Sequence, residues 1–376
     1  MREATQLRII LEVLEAYRGR EPLSRFLKKY FNANRQLGSR DRKLIQQFVY
    51  NYFRIGKMYP GKPVKERLAI ANKACKAEAG PLLDFSFHDL VHIDRMASQL
   101  DPGQIFPFAR HLSDSIGKAD FIHSFLVQPK VWIRVQKNFT QEVEKDLSEN
   151  EIPFEKDADM NHAWSVKNSS ALDQLETFKK GYFEIQDLSS QETIKLIRPN
   201  PGESWWDVCA GAGGKGLMMA DAQPDIKIFC TDVRETILKN LSERFKKAGF
   251  QNFSTRVMDL SVDKPHLSAR FDGVLADVPC SGSGTWSRSP EWLSFFDHKS
   301  IQKFQELQRK IVSGSVRFLS ENKPFVYITC SVFKEENEDN TAWIVSNLPL
   351  KLQTQMYFEG ASKGADTMFV ARFIRI

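Results

Sequence analysis

The sequence predicts an α/β protein: a doubly wound, mainly parallel sheet, preceded by an all-α domain and a small α/β unit. Three observations predict it. From residue 204 onward short apolar runs alternate with amphipathic helical stretches, and the distinctive residues of that half follow the apolar runs. The excess of basic over acidic residues, by contrast, is confined to an N-terminal segment with helical periodicity. Strand–helix alternation of this kind implies a parallel sheet covered on both faces. At 376 residues the chain exceeds the size at which single cores stop growing, so two or three domains are expected.

The first elements are helices. Residues 3–17, EATQLRIILEVLEAY, put Leu7, Ile10, Leu11 and Leu14 on one stripe; residues 39–54, SRDRKLIQQFVYNYFR, repeat the pattern with Ser39 in the capping position. The segment to about residue 125 reads as helical throughout, with 21 Lys and Arg against 13 Asp and Glu; the remainder carries 32 against 34. Arg25, Lys28, Lys29, Arg35, Arg40, Arg42, Lys43, Arg54 and Lys57 are interleaved with Tyr30, Phe31, Tyr50, Tyr52 and Phe53. Each aromatic taken singly is a core residue. The aggregate charge suits a polyanion, and nucleic acid is the expected partner.

Around Pro129 the texture changes. VWIRVQ reads as a strand, FTQEVEKDLSENE as a helix and HAWSVKN as a strand, a small mixed unit before residue 185. The domains expected are therefore residues 1–125, 126–185 and 186–376. No apolar run is long enough to span a bilayer, and Met1 to Ala16 is unlike a secretory signal, so a cytoplasmic location is expected and no membrane partner. The five cysteines, Cys75, Cys209, Cys230, Cys280 and Cys330, are scattered and nowhere form a C-x-x-C pair, which argues for free thiols and against a zinc site. His88 and His92 have metal-ligand spacing on a helix, but lack a third ligand nearby; no metal is expected.

In the last part the strands expected are Ser204 to Val208, Ile226 to Thr231, Phe253 to Val257, Phe271 to Ala276, Phe325 to Thr329 and Met368 to Ile374. Such sheets bind ligands beyond the carboxyl ends of their strands. There stand Asp207 with the run CAGAGGKG, then Asp232, then Asp259, then Asp277 with Pro279 and Cys280, then Cys330 with Ser331. The run from Gly211 to Gly216 fits G-x-G-x-x-G, a turn that lets backbone approach a ligand closely. It is not a P-loop, because Gly216 replaces the Ser or Thr that would hold magnesium. Asp232 is placed to accept hydrogen bonds from ribose hydroxyls, which suits NAD and S-adenosylmethionine equally. Asp259 is placed either to meet an adenine amino group or to cap a helix.

The thiols break the tie. Hydride transfer needs no cysteine, whereas carbon 5 of a pyrimidine is a poor nucleophile until a thiolate adds to carbon 6. An acid near ring nitrogen 3, for which Asp277 is suitably placed, would stabilise charge developing on the base. Two cysteines on one predicted edge suit that chemistry.

With these residues in view, the chain resembles the RNA cytosine carbon-5 methyltransferases of the Sun-domain family. DVPCSGSGTWSRSPEW and YITCSVFKEENED are similar to their fourth and sixth motifs, DVCAGAGGKG to their S-adenosylmethionine loop, FEIQDLSSQ to their lead-in segment and GADTMFVARF to their closing strand. LGSRDRKLIQQFVYNYFR resembles, more weakly, the NusB-like domain of bacterial ribosomal-RNA members. The resemblance implies a Rossmann-like catalytic domain. It implies Cys330 as nucleophile, Cys280 as the residue assisting product release, and Asp277 holding the cytosine with Lys215 beside it. Cys209, Ala210, Gly211, Gly213, Gly214, Lys215, Asp232, Asp259 and Asp277 would bind S-adenosylmethionine. Three positions depart from the family pattern: Ala212 stands where Pro is usual, Gly216 where Thr is usual, and Ser287-Arg288 where paired arginines are usual.

The function expected is methylation of carbon 5 of a cytosine in RNA, foremost small-subunit ribosomal RNA, by a monomer. The alternatives are a transfer-RNA methyltransferase, an NAD-dependent oxidoreductase and a non-catalytic RNA-binding assembly factor.

Overall fold

Apolar side chains at helical spacing form helices where the N-terminal pattern predicts them. The computed structural model describes residues 3–76, 90–167, 171–262 and 267–376; His88 lies outside them. Helices run Glu3–Ala16, Leu23–Ala33, Ser39–Arg54, Val64–Ala74, Leu90–Ser98 and Lys118–Ser124. They bury Ile10, Val13, Leu27, Ile45, Phe48 and Val49 in one core, against which Tyr30, Tyr50 and Tyr52 pack. Ser39 is the first helical residue rather than the cap; Gly38 holds that position without a side-chain bond.

Two basic residues leave the expected charged face. Arg54 is fully buried. Its guanidinium donates to the carbonyls of Phe125, Val127 and Ser287 and to Gln128 Oε1, and a buried charge is tolerated only with such a set of acceptors. Arg42 Nε donates to the Leu37 carbonyl at 2.8 Å. Arg25 and Lys29 pair with Glu21, whereas Lys28, Arg35, Arg40, Lys43 and Lys57 stay exposed.

The chain divides into two compact units. One comprises Met1–Leu112, Gly117–Gln128 and Thr285–His298, so a segment far along the sequence groups with the helices. Within this unit Trp286 is buried against Phe106, Phe108 and Phe296, and the Glu291 carboxylate accepts the Leu23 N–H at 2.9 Å.

The other unit holds two sheets. Strands β1 (Val131–Val135), β2 (Phe154–Lys156), β3 (Ala163–Val166) and β4 (Phe183–Ile185) form an antiparallel sheet in the order β2-β3-β1-β4. Strands β5 (Ser204–Asp207), β6 (Lys227–Asp232), β7 (Phe253–Val257), β8 (Gly273–Asp277), β9 (Pro324–Thr329), β10 (Leu350–Glu359) and β11 (Thr367–Arg375) form the larger sheet, ordered β10-β11-β9-β8-β5-β6-β7. β9 to β7 are parallel; β11 and β10 run antiparallel to their neighbours. Alternate side chains of β5 feed opposite faces, Trp205 into one core with Ile228, Leu275 and Ile328, Trp206 into the other with Val274, Phe325 and Tyr327.

Two strand expectations are corrected. Phe271 makes an isolated bridge to Leu319, and its strand begins at Gly273. β10 is not among the strands expected: it is an edge strand, largely exposed, and LKLQTQMYFE carries too few apolar residues to announce it. The chain runs β5, β6, β7 in one direction and then returns to β8 on the other side of β5, so the order reverses between β5 and β8. That reversal opens a crevice at their carboxyl ends.

Candidate active site

The loops at the carboxyl ends of the parallel strands line the crevice. After β5 the chain turns at Gly211 and Gly213, both with positive φ, and enters the helix Gly214–Ala222. The turn is held by Ala210 N–H to the Thr231 carbonyl and by Gly213 N–H to the Ala210 carbonyl, both at 2.9 Å. Lys215, in the first turn of that helix, places Nζ 2.7 Å from Asp277 Oδ2 at the end of β8 and 3.3 Å from Ser190 Oγ. Ser190 and Gln186 belong to the lead-in segment; Gln186 Nε2 donates to the Gly214 carbonyl at 3.3 Å. Sequence reasoning does not reach either as a site residue, although the resemblance of FEIQDLSSQ is the signal that could find them.

Asp232, at the end of β6, is buried. Its Oδ2 accepts the Gly211 N–H and Arg234 Nη2, its Oδ1 accepts Arg234 N–H and Nε, all at 2.9–3.0 Å. Burial pushes its carboxyl up, but the bonds and charge of Arg234 and the Gly211 N–H outweigh this and hold it below its ordinary value. A carboxylate has about four acceptor positions. All of those of Asp232 are filled, two of them by an Arg234 side chain that is itself 60% exposed. Asp259 lies beyond β7, and its Oδ1 accepts Ser261 N–H and Oγ at 2.9 and 2.6 Å, a local turn.

Asp207 is the buried member. Its Oδ1 has no hydrogen-bond partner among the described residues. Burial, and then the charge of Asp277, push its carboxyl up to about 8, against the pull of Lys215 and the Cys209 N–H.

The two thiols of the expected pair meet: Cys280 Sγ lies 3.3 Å from Cys330 Sγ. Their strands are adjacent and parallel, with Asp277 opposite Ile328, so the loops beyond them leave the sheet side by side. The hydrogen bond to Cys330 and burial raise the Cys280 thiol well above its ordinary value. Burial also raises Cys209, Cys230 and Cys75, the last to about 11. The geometry thus brings Lys215 to Asp277 and Cys280 to Cys330, two pairs at the carboxyl ends of adjacent strands, with Asp232 at the glycine turn.

Residues 194–373 match the model of a family described as 16S rRNA methyltransferase RsmB/F. These residues are similar to an RsmB/F-type methyltransferase domain. Ribosomal RNA small subunit methyltransferase B of Pasteurella multocida is 30% identical over 234 residues, 60% of this chain and 52% of its own length. The protein of that name from Yersinia pestis is 28% identical over 225 residues, 59% of this chain and 52% of its own. The chain thus spans about half the length of the curated relatives it matches. Among solved structures, PH0851 is similar with a TM-score of 0.78 at 20% identity, over 100% of this chain and 99% of its own. NSun6 from Pyrococcus horikoshii, solved with SFG, has a TM-score of 0.60 at 17% identity, over 66% of this chain and 91% of its own. These likenesses show the fold, a Rossmann-like methyltransferase sheet with a helical N-terminal region, as the sequence predicts.

Within residues 194–373 one departure from the pattern that the resemblance implies has a visible reason. A Cβ at Gly216 would stand 2.8 Å from the Phe245 ring, so the side chain expected there has no room and Phe245 fills the space instead. At Ala212 the carbonyl accepts a bond from Arg244, which also pairs with Glu184 at 2.6 Å. In the helical unit, Ser287 is buried and its carbonyl receives Arg54 at 2.8 Å.

Among the described residues no group of three His, Cys, Asp or Glu has metal-site geometry. His92 Nε2 lies 3.7 Å from Glu66. No helix among them is long and apolar enough to cross a membrane.

Proposed function

We propose that this protein methylates carbon 5 of a cytosine in RNA, foremost small-subunit ribosomal RNA, with S-adenosylmethionine as donor and Cys330 as nucleophile. The observation that carries the proposal is the pair of thiols 3.3 Å apart in the loops that follow β8 and β9, with the Lys215–Asp277 ion pair at the end of β8. Hydride transfer gives such a pair nothing to do.

The residues present fit S-adenosylmethionine. A Cβ at Gly211 would meet nothing within 4 Å, so the turn leaves a hollow above it, and the buried Asp232 carboxylate beside it suits a pair of ribose hydroxyls. Cys209, Ala210, Gly211, Gly213, Gly214 and Lys215 would form the wall of that hollow, with Asp259 and Asp277 at neighbouring strand ends. When bound, the cofactor supplies an electrophilic methyl group. The protein's own part is to make carbon 5 nucleophilic. Cys330 Sγ forms a bond to carbon 6, and the electron pair displaced from the ring double bond is delocalised toward nitrogen 3 and carbon 5. Asp277 holds the base, and the Lys215 ammonium beside it stabilises the charge developing on the ring. Once carbon 5 carries the methyl group, loss of its proton and breakage of the Cys330–carbon 6 bond restore the aromatic ring, with Cys280 assisting release. A cytosine in a helix must leave its stack for this contact.

Bisulfite mapping of ribosomal and transfer RNA from cells lacking the protein tests the proposal. One cytosine of small-subunit ribosomal RNA is expected to lose protection. Loss confined to transfer RNA would give the substrate to the alternative class, and no loss in either would remove cytosine from the reading.

Cofactor binding gives a second test. Asp232→Ala is expected to weaken S-adenosylmethionine binding by about one to two orders of magnitude, the loss of a charge-assisted pair of hydrogen bonds. Arg234→Ala is expected to strengthen it, since the hydroxyls then compete with no guanidinium. Calorimetry reads both, and equal affinities across the three proteins would remove Asp232 from the cofactor site.

The exposed basic residues give a third. Charge reversal of Arg35, Arg40 and Lys43 is expected to weaken RNA binding and to flatten its dependence on log salt by roughly 0.7 to 0.9 for each phosphate no longer neutralised, with cofactor affinity unchanged. An unchanged slope would count against a phosphate-binding face. Arg42 is left out because its guanidinium holds the Leu37 carbonyl.

A further inference from the structure

The sheet fixes where the two cysteine loops begin but not where their thiols end. Cys280 lies three residues beyond the end of β8 and Cys330 one residue beyond β9, past the regular ladder. A buried carboxylate bridges them. Glu336 Oε2 accepts the N–H of Ser281, the residue after Cys280, at 2.9 Å, and its Oε1 accepts the hydroxyl of Ser331, the residue after Cys330, at 2.8 Å. Oε2 also accepts Gln308 Nε2 at 2.9 Å, and that same amide donates to the carbonyl of Pro279, the residue before Cys280, at 3.0 Å. Glu336 itself is fully buried. A charge withdrawn from water is costly unless several donors surround it, and all three groups around this one donate, as an acceptor-only side chain requires.

We infer that Glu336 is a positioning residue that sets the separation of the two thiols by clamping both loops through one carboxylate. Hydroxyls add to the clamp: Ser281 Oγ and Ser283 Oγ each lie 3.1 Å from Ser331 Oγ, and Ser283 Oγ accepts the Val332 N–H. Each of those hydroxyls has a single proton to donate. The carboxylate is planar, and it is held from the other side by Gln308, whose Oε1 accepts from Asn340 and Tyr327. The consequence for the reaction rests on the proposed roles of Cys330 and Cys280: release of the methylated base depends on Cys280 staying beside Cys330, so a loosened clamp slows release more than addition.

Two variants separate reach from charge. Glu336→Asp keeps the charge but is one methylene too short to serve both loops. Glu336→Gln keeps the reach: its carbonyl oxygen accepts Ser281 N–H and Gln308, and its amide donates to Ser331 Oγ. The separation is read directly by the rate at which diamide links Cys280 to Cys330. In that step each thiol gives up one hydrogen, the S–S bond forms, and diamide is reduced to its hydrazine. Rates are taken from about pH 6 to about pH 10, because altered thiol ionisation moves the profile along the pH axis whereas a changed separation lowers it throughout. Peptide mapping identifies the linked pair. Glu336→Asp is expected to lower the rate at least about tenfold across the range, and Glu336→Gln to stay within about threefold of the native protein. A native rate in Glu336→Asp, or a Glu336→Gln as slow as Glu336→Asp, overturns the inference. The measurement needs neither RNA nor cofactor, so it stands apart from the catalytic reading. On a denaturing gel with RNA and S-adenosylmethionine, Glu336→Asp is further expected to accumulate the covalent complex. If cross-linking slows as expected but no variant of either cysteine or Glu336 yields a complex, the clamp stands and the covalent reading falls.

Discussion

Cys330→Ala is expected to yield neither methylated RNA nor a covalent complex, and Cys280→Ala to accumulate RNA bound to the protein through Cys330. This is the expected outcome if addition to carbon 6 belongs to Cys330 and release to Cys280. Without a thiolate at carbon 6, carbon 5 stays aromatic and weakly nucleophilic, so the first variant is expected to lose at least about four orders of magnitude in rate. The second variant is expected to complete addition and then stall. The 3.3 Å separation is what would make a division of labour feasible, since a ring in contact with one sulfur would lie close to the other. A denaturing gel of each variant with RNA and S-adenosylmethionine reads the result as a band shifted by the RNA and removed by nuclease. A shifted band from Cys330→Ala with none from Cys280→Ala would exchange the roles, and methylation intact in both would end the covalent reading.

Asp207→Asn is expected to stabilise the protein at neutral and alkaline pH. The Asp207 carboxyl is raised from an ordinary value of 3.8 to about 8 by burial and by Asp277. Its folded value lies above its unfolded one, so the native state keeps a proton that the unfolded state has shed. Stability from this group is therefore fully present below about pH 4 and is lost as pH rises to about 8, at roughly 1.4 kcal/mol per pH unit. The accumulated loss is on the order of 5 kcal/mol, because the group is buried and unscreened. Asn copies the shape of the protonated acid and does not titrate. Urea unfolding of both proteins at several pH values is expected to give curves that coincide near pH 4 and separate steadily toward pH 8, with Asn the more stable. Parallel curves would mean that Asp207 is ionised in the native protein.

The strands buried on both faces are legible in the sequence, and so is β7, an exposed edge strand whose FSTRV keeps aromatic and β-branched residues. SWWDV, GVLAD and PFVYIT read as strands because water is excluded from both sides of the parallel sheet, which demands unbroken apolar runs. β10 is illegible for the converse reason: at the sheet edge only part of it meets the core. Helical periodicity places Glu3–Ala16 and Ser39–Arg54 within a residue at either end, but it assigns Arg54 to the surface. The acceptors that allow its burial are carbonyls at positions 125, 127 and 287, and no local pattern announces them.

The sequence by itself determined which residues stand at the carboxyl edge of the sheet: Asp207, the glycine turn, Asp232, Asp259, Asp277, Cys280 and Cys330 each come at or after the end of a strand expected from the sequence, and a strand's end is a local property. Only the tertiary structure decided which of them meet. Lys215 reaches Asp277 across 62 positions and Cys280 reaches Cys330 across 50. Those distances follow from β8 lying between β5 and β9, an order fixed by packing of the whole sheet rather than by any segment. The same packing tied residues 285–298 to the helical unit and put Glu336 between the cysteine loops. Charge and hydrogen-bond partners buried away from water are chosen by what the fold places within about 3 Å, and sequence separation carries no information about that.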